Sequence, residues 1–114
     1  MLVDQCYRRD YFAASCVPLL VQQNVDGSDF FDRSWAQYKV GFNDTGGNYW
    51  LGNDLLSQLT VSGGRYKLRF DLQSRNTSRW YYAEYSTFRV RPEAYNYELT
   101  AAGYVGNAAT MHYE

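Results

Sequence analysis

The sequence predicts an α+β fold: a twisted antiparallel sheet with two short helices packed on it. Three observations carry this. Arg65 to Leu72 alternates strictly, with Tyr66, Leu68, Phe70 and Leu72 on one face and Lys67, Arg69 and Asp71 on the other, as a half-buried strand does. Arg79 to Tyr85, dense in aromatics, follows a polar turn at Ser74 to Ser78 and reads as the antiparallel partner of that strand. Two other stretches, Phe31 to Val40 and the run from Asn53 to Gln58, carry helix start and stop signals instead. Aromatic usage agrees, since twelve Tyr, six Phe and three Trp in 114 residues suit strands and large packed faces.

Met1 to Pro18 shows no clear period and reads as a poorly specified lead-in, leaving 19–114 as the folded part. Leu19 to Val25 suits a short strand, and Asp26-Gly27-Ser28 a turn. Asp32 or Ser34 can cap the first helix, Gly41 ends it, and Lys39 complements its C-terminal dipole. Trp35 and Tyr38 share one face, with Phe31 a turn earlier, and that face is expected to be buried. Asn43 to Asn48 reads as a polar loop and Tyr49-Trp50-Leu51 as a compact strand or bend. Asn53 or Asp54 can cap the second helix, whose apolar face is Leu55, Leu56 and Leu59. Gly63-Gly64 marks a turn, Phe88 to Val90 a short strand closed by Arg91-Pro92, and Tyr95 to Ala101 a further strand, after which the signal fades into loop from Gly103. The expected core is Trp35, Tyr38, Trp50, Leu51, Leu55, Leu56, Leu59, Leu68, Phe70 and Leu72.

The length fits one domain. A formal net charge of -1 and a pI near 5.8 give no basis for binding nucleic acid or an anionic membrane surface. No apolar run approaches the ~18 residues of a membrane span, and Arg8, Arg9 and Asp10 interrupt any signal-peptide pattern. Cys6 and Cys16 can close a short disulfide loop or stand as two free thiols.

No residue pattern assigns a catalytic, cofactor-binding or metal-binding site. Asp26, Asp29 and Asp32 lie near a Gly but lack the further ligands and terminal Glu of a calcium loop, so they read as turn and cap residues. His112, the only His, has no placed nucleophile for a triad. Arg75, Arg79, Arg89 and Arg91 beside Trp80 and Tyr81 are interleaved with acids and read as a solvated strand face rather than an RNA platform. Asn43-Asp44-Thr45 and Asn76-Thr77-Ser78 are N-glycosylation sequons in predicted loops, with Asn43 and Asn76 as acceptors.

Several blocks occur in an order that resembles the fibrinogen C-terminal (fibrinogen-like) domain. Gln22 to Ser28 is similar to that family's Gln-Arg-x-x-Asp-Gly-Ser segment, and Phe31 to Phe42 to its Phe-x-Arg-x-Trp-x-x-Tyr-Lys-x-Gly-Phe helix. Tyr49-Trp50-Leu51-Gly52-Asn53-Asp54 resembles its Phe-Trp-Leu-Gly-Asn-Asp signature. Tyr66 to Leu72, Tyr82 to Phe88, Tyr97-Glu98-Leu99 and Gly103 to Ala108 resemble its later pieces. On this resemblance Trp35, Tyr38, Gly41, Trp50, Gly52, Asn53 and Asp54 are the structural signature.

The resemblance implies a non-catalytic, extracellular recognition module of the fibrinogen-related or ficolin-like type. Its ligand would be a sugar, an acetylated group or a protein, in innate defence or adhesion. The family's Gly-Gly-Gly-Trp-Thr is replaced by Cys16-Val17-Pro18-Leu19-Leu20, so its first disulfide does not transfer to Cys6 and Cys16. Its calcium loop and ligand pocket fall beyond Ala108, so calcium is expected only there and the chain reads as an incomplete domain. The alternative expectation is a structural remnant or incomplete gene model with no ligand site of its own. A part-domain is further expected to expose apolar surface and to self-associate through it.

Overall fold

In chain order the elements are β1 (Leu2–Arg8), β2 (Ala14–Leu20), β3 (Gln22–Gln23), a 3-10 turn at Asp29–Phe31, α1 (Trp35–Val40), β4 (Phe42–Asn43), β5 (Tyr49–Trp50), α2 (Asn53–Val61), β6 (Arg65–Gln73), β7 (Trp80–Val90), a second 3-10 turn at Glu93–Tyr95, and β8 (Leu99–Gly106). This computed structural model describes residues 1–8, 14–27, 29–61 and 65–108, with backbone alone at 5–8, 14–17 and 29. The main sheet has five strands in the order β2-β1-β6-β7-β8, all antiparallel, and a small sheet runs β3-β5-β4.

The alternation of Arg65 to Leu72 becomes β6, and its hairpin with β7 pairs Leu68 with Tyr85 through to Gln73 with Trp80. Salt bridges tie its outer face, where Lys67 meets Glu84 at 3.1 Å and Arg69 meets both Asp71 and Glu84. The two strands expected at Arg79–Tyr85 and Phe88–Val90 are one continuous eleven-residue β7.

Where a lead-in was expected, the described residues form strands: Leu2–Arg8 is β1, between β2 and β6, and Ala14 to Pro18 make most of β2. Val3 is fully buried there although Leu2-Val3-Asp4 shows no alternation, because pairing on both sides, not side-chain pattern, places it inside.

At the other end Tyr95 closes a 3-10 turn instead of starting a strand, and β8 runs on through Gly103 to Gly106 where a loop was expected. Gly103 takes φ +77 against Ser86, a conformation that reads as a breaker in sequence yet sits within a paired strand.

Val3, Val21, Leu56, Tyr66, Leu68, Phe88, Val90 and Tyr97 form the core cluster, with Trp50, Leu51, Leu59 and Phe70 packed against it. Four expected core residues lie outside: Trp35 is 55% exposed, Leu55 52% and Leu72 36%, and half-buried Tyr38 packs against Phe42 and Trp50 instead of joining the cluster. The reason is local. The first helix spans only Trp35 to Val40, preceded by the separate turn holding Phe31, so the expected three-residue apolar face never forms along one helix. In α2 the buried face is Leu56, Ser57 and Thr60, which turns Leu55 outward. Leu72 lies at the far, exposed end of β6. The second helix also runs past Gln58 to Val61. Gly63-Gly64, His112 and the side chain of Asp29 lie outside the described residues.

Candidate functional site

Two glycines set the geometry of the signature residues. Gly41 ends α1 with φ +96, and its N–H donates to the Gln37 carbonyl at 2.9 Å. Gly52 immediately precedes α2 with φ +114 and supplies the carbonyl that accepts from the Leu56 N–H at 3.0 Å. The backbones cross in direct contact: a Cβ on Gly41 would lie 2.6 Å from the Leu51 carbonyl oxygen, and one on Gly52 would lie 2.9 Å from Val40. Only glycine fits on both counts, φ and space.

Aromatics lock this crossing. The Trp50 indole N–H donates to the Tyr38 carbonyl at 3.0 Å, and the Tyr38 ring stands edge-on to both Trp50 and Phe42. The Tyr38 hydroxyl donates to the Phe31 carbonyl at 2.6 Å, which ties the first 3-10 turn to α1. At the start of α1 it is Ser34 that caps, in a reciprocal capping box with Gln37, and Lys39 lies in the last turn as expected.

A polar cluster fastens both helices to the Glu93–Tyr95 turn. The Lys39 ammonium lies 3.1 Å from Asp54 and 3.1 Å from Glu93. The Trp35 indole donates to Glu93 at 3.0 Å, and the Tyr97 hydroxyl donates to Asp54 at 2.5 Å. These bonds shift the titrations. The Tyr97 hydroxyl and then Lys39 hold Asp54 below its usual range, while the Trp35 N–H and then Lys39 do the same for Glu93. The Lys39 ammonium is held above its usual value by Glu93 and then Asp54. Burial, then the bond to Asp54, pushes the Tyr97 phenol up to about 12.

Asn96 and Tyr97 both adopt left-handed backbone, φ 54 and 52, which for an aromatic residue costs on the order of 1–3 kcal/mol. The buried Tyr97 ring, stacked 5.5 Å from Trp35, and its hydroxyl bond offset that strain. Tyr97 and Glu93 carry no signal of this role in the sequence, because both partners lie more than forty residues from them in the chain.

The polar loop before β5 is organised by Asn48, only 1% exposed. Its side-chain oxygen accepts from the Val25 N–H at 2.9 Å, and its amide donates to Asp44 at 2.9 Å and to Asp26 at 3.3 Å. Asp44 also accepts from the Gly46 and Asn48 N–H groups. Asp26 and Asp44 thus act as turn residues. Asp32 is exposed, and among the described residues no group of three or more His, Cys, Asp or Glu could hold a metal ion. The sequon acceptors Asn43, in β4, and Asn76, in the turn after β6, are both exposed. The register makes Cys6 and Cys16 Cα partners across β1 and β2.

One cavity, of about 520 Å³, opens beside the C-terminal end of α2 where β6 and β7 separate. Buried Tyr66 and Phe88 underlie it, with Ser86 and Thr87 between them and Arg65 and Arg89 at its rim. Thr60 closes it on the helix side: its hydroxyl oxygen accepts from the Val90 N–H at 2.9 Å and donates to the Leu56 carbonyl at 2.9 Å. The arginine reading of the sequence separates here. Arg91 pairs with Glu98 and stacks on Tyr95, whereas Arg65 and Arg89 form no ion pair among the described residues.

Two short helices locked by a glycine crossing and laid on an antiparallel sheet define an α+β scaffold. The profile described as "Fibrinogen beta and gamma chains, C-terminal globular domain" matches residues 14–113, and the chain belongs to that family. Angiopoietin-related protein 1 of Mus musculus is 42% identical over 89 residues, covering 78% of this chain and 18% of that protein. Ficolin-3 of Homo sapiens is 38% identical over 98 residues, covering 82% and 32%. Among solved structures, the fibrinogen-like globe domain of human ANGPTL2 superposes with a TM-score of 0.70 at 38% identity, covering 90% of this chain and 45% of that one. Lamprey fibrin D-dimer, solved with the peptide ligand Gly-His-Arg-Pro-amide, gives 0.68 at 31% identity, covering 90% and 32%. The chain therefore spans about a fifth to a third of the curated relatives and under half of either of these solved chains.

Proposed function

We propose that this chain is part of a non-catalytic, extracellular recognition module of the fibrinogen-related, ficolin-like type, whose ligand is a sugar, an acetylated group or a protein. The observation that carries the reading is the family match over 14–113 together with the assembled signature of Trp35, Tyr38, Gly41, Trp50, Gly52, Asn53 and Asp54. Ficolin and angiopoietin-related relatives support the recognition class, and the peptide in the lamprey structure is an example of a bound ligand in that protein. The test is a binding screen of the protein secreted from eukaryotic cells against acetylated and plain glycans and against cell-surface proteins. Saturable binding to any class supports the reading, and silence across all of them overturns it.

Two features belong with this extracellular reading. Cys6 and Cys16, Cα partners in the sheet, form a disulfide, and Asn43, exposed at the end of β4, and Asn76, on an exposed turn, carry glycans. Intact mass before and after reduction and glycosidase treatment reads both; an unchanged mass with freely alkylated thiols sinks them. The module also self-associates through exposed Leu99, Tyr104 and Val105 of the edge strand β8, a strand that carries no charge or proline to blunt it. Sedimentation that stays monomeric at high concentration excludes this.

A further inference from the structure

No asparagine in the chain precedes a glycine, and Asp26 is the only aspartate that does. That step has its own chemistry. Glycine carries no side chain to shield its amide nitrogen, so attack on the preceding side-chain carboxyl is least hindered there. In that reaction the Gly27 nitrogen bonds to Asp26 Cγ, and the N–H proton leaves with the carboxyl OH as water. The succinimide ring then takes water back. Opening at the Cγ carbonyl restores aspartate. Opening at the main-chain carbonyl leaves isoaspartate, in which the main chain runs through Cβ and Cγ and the carboxylate sits on Cα.

The fold engages both reacting groups elsewhere. The Gly27 N–H donates to the Asn24 side-chain oxygen at 2.9 Å, in a bend where Gly27 takes φ +66. The Asp26 carboxylate accepts from the Asn48 amide, at 3.3 and 3.4 Å to its two oxygens. Asn48 is a fixed anchor, buried and bonded to the Val25 N–H and to Asp44, each at 2.9 Å. Arg75, in the turn between β6 and β7, lies directly on Gly27: a Cβ there would fall 1.8 Å from a guanidinium nitrogen. The nitrogen therefore cannot turn onto Cγ without giving up Asn24, and the carboxyl cannot swing toward it without giving up Asn48. Asp26 and Gly27 are both exposed, so water reaches an imide once it forms.

We propose that the Asp26–Gly27 step is an isomerisation site of this protein, held closed by the fold and opened when Gly27 lets go of Asn24. The reaction needs no enzyme, metal or second substrate beyond water, and the proposal stands independently of the recognition reading. Its product reaches beyond the bend. Isoaspartate at 26 lengthens the main chain by a methylene and withdraws the carboxylate from Asn48. Val25 and Asp44 share that anchor, so the change passes into the loop ahead of β5. It also shifts Gly27 from beneath Arg75, which couples the bend to the β6–β7 turn.

The full chain is aged for weeks in neutral buffer, once folded and once in urea, and peptide mapping with electron-transfer fragmentation measures isoaspartate at 26. The urea-held chain should accumulate it about tenfold faster or more, because the folded chain reacts only through local opening. Asn24→Ala should raise the folded rate several-fold toward the urea rate and leave the urea rate unchanged. Asn24→Asp, which keeps an acceptor oxygen, should stay slow, and Arg75→Gln should speed the folded reaction less than Asn24→Ala does. Positions 24 and 75 are exposed, and matching melting curves verify that the variants fold. In the separated isoaspartate form the Val25 amide should exchange with solvent faster than in the parent. Equal rates in the folded and urea-held chains overturn the proposal, as does a folded Asn24→Ala chain as slow as the parent. Absence of isoaspartate in urea overturns the site itself. Equal acceleration by Asn24→Ala and Asn24→Asp overturns the role given to the acceptor oxygen, and an unchanged Val25 amide overturns the reach through Asn48.

Discussion

The crossing of Gly41 over Gly52 and the fork between β6 and β7 are opposites in packing. At the crossing the backbone of one segment touches the backbone of another, and a single methyl group would overlap carbonyl atoms at 2.6–2.9 Å. At the fork two strands of a continuous sheet part, and a helix hydroxyl, not a neighbouring strand, meets the last N–H. The first region is where the family signature concentrates, so its residue types are dictated by geometry alone. The second keeps an open volume of about 520 Å³ lined by Arg65 and Arg89, which form no ion pair among the described residues, so packing alone does not dictate its residue types.

The largest expected effect comes from filling the tight region. Gly52→Ala should cost about 3–5 kcal/mol, since it adds both a clash with Val40 and a strained φ, and so consume much of the roughly 5–15 kcal/mol that holds an ordinary domain together. Gly46→Ala is the control. Its Cβ would come no nearer than 3.5 Å to Asp44, and the change should stay within about 0.5 kcal/mol. Urea midpoints measure both, and similar midpoints for the two variants would mean the crossing is not a contact in solution.

A smaller loss is expected at the border between the regions. Thr60→Val keeps the shape of the side chain but strips the buried Val90 N–H of its acceptor, at a cost of about 1–3 kcal/mol. Thr60→Ser, which keeps the hydroxyl, should lose less. If the valine variant melts like the parent, Val90 finds another partner and the fork is closed in solution.

The legibility of the chain divides along the same line. The Ser34 cap of α1, Gly41, the Arg65–Leu72 alternation and the hairpin are local signals, each decided within a few residues, and they appear in the structure where the sequence puts them, whereas Asn53 and Asp54, expected to cap the second helix, lie inside it. What escaped was decided at a distance. Val3 is buried because β2 and β6 flank it, and Tyr97 because Asp54 and Trp35 wait for it from α2 and α1. Trp35 reads as core by residue type, yet at the first position of a six-residue helix it lies on the surface with its indole on Glu93. The fork has no local signature at all, because Ser86 to Arg89 simply continues a strand, and only the register shows that β6 has left it.

The smallest expected effect tests whether the polar cluster beside the crossing adds stability or only order. Asp54 and Glu93 have folded values below their ordinary 3.8 and 4.5, so the fold binds their protons more weakly than the unfolded chain does. Their contribution is then complete above those ordinary values and is lost as pH falls through the lowered ones, which places the window below about pH 4. Lys39 and Tyr97 shift upward, so their contribution is complete below their ordinary 10.5 and 10.0 and fades as pH rises past them. Because the charged groups are about a third or more exposed, salt should shrink both slopes. Lys39→Met should flatten the acid slope only in part, since the first cause of each lowered value is Tyr97 for Asp54 and Trp35 for Glu93. Melting temperatures from pH 2 to 7, with and without salt, measure this. A Lys39→Met curve that loses the slope entirely would show that charge, not the two aromatic hydrogen bonds, ties the helices to the Glu93–Tyr95 turn.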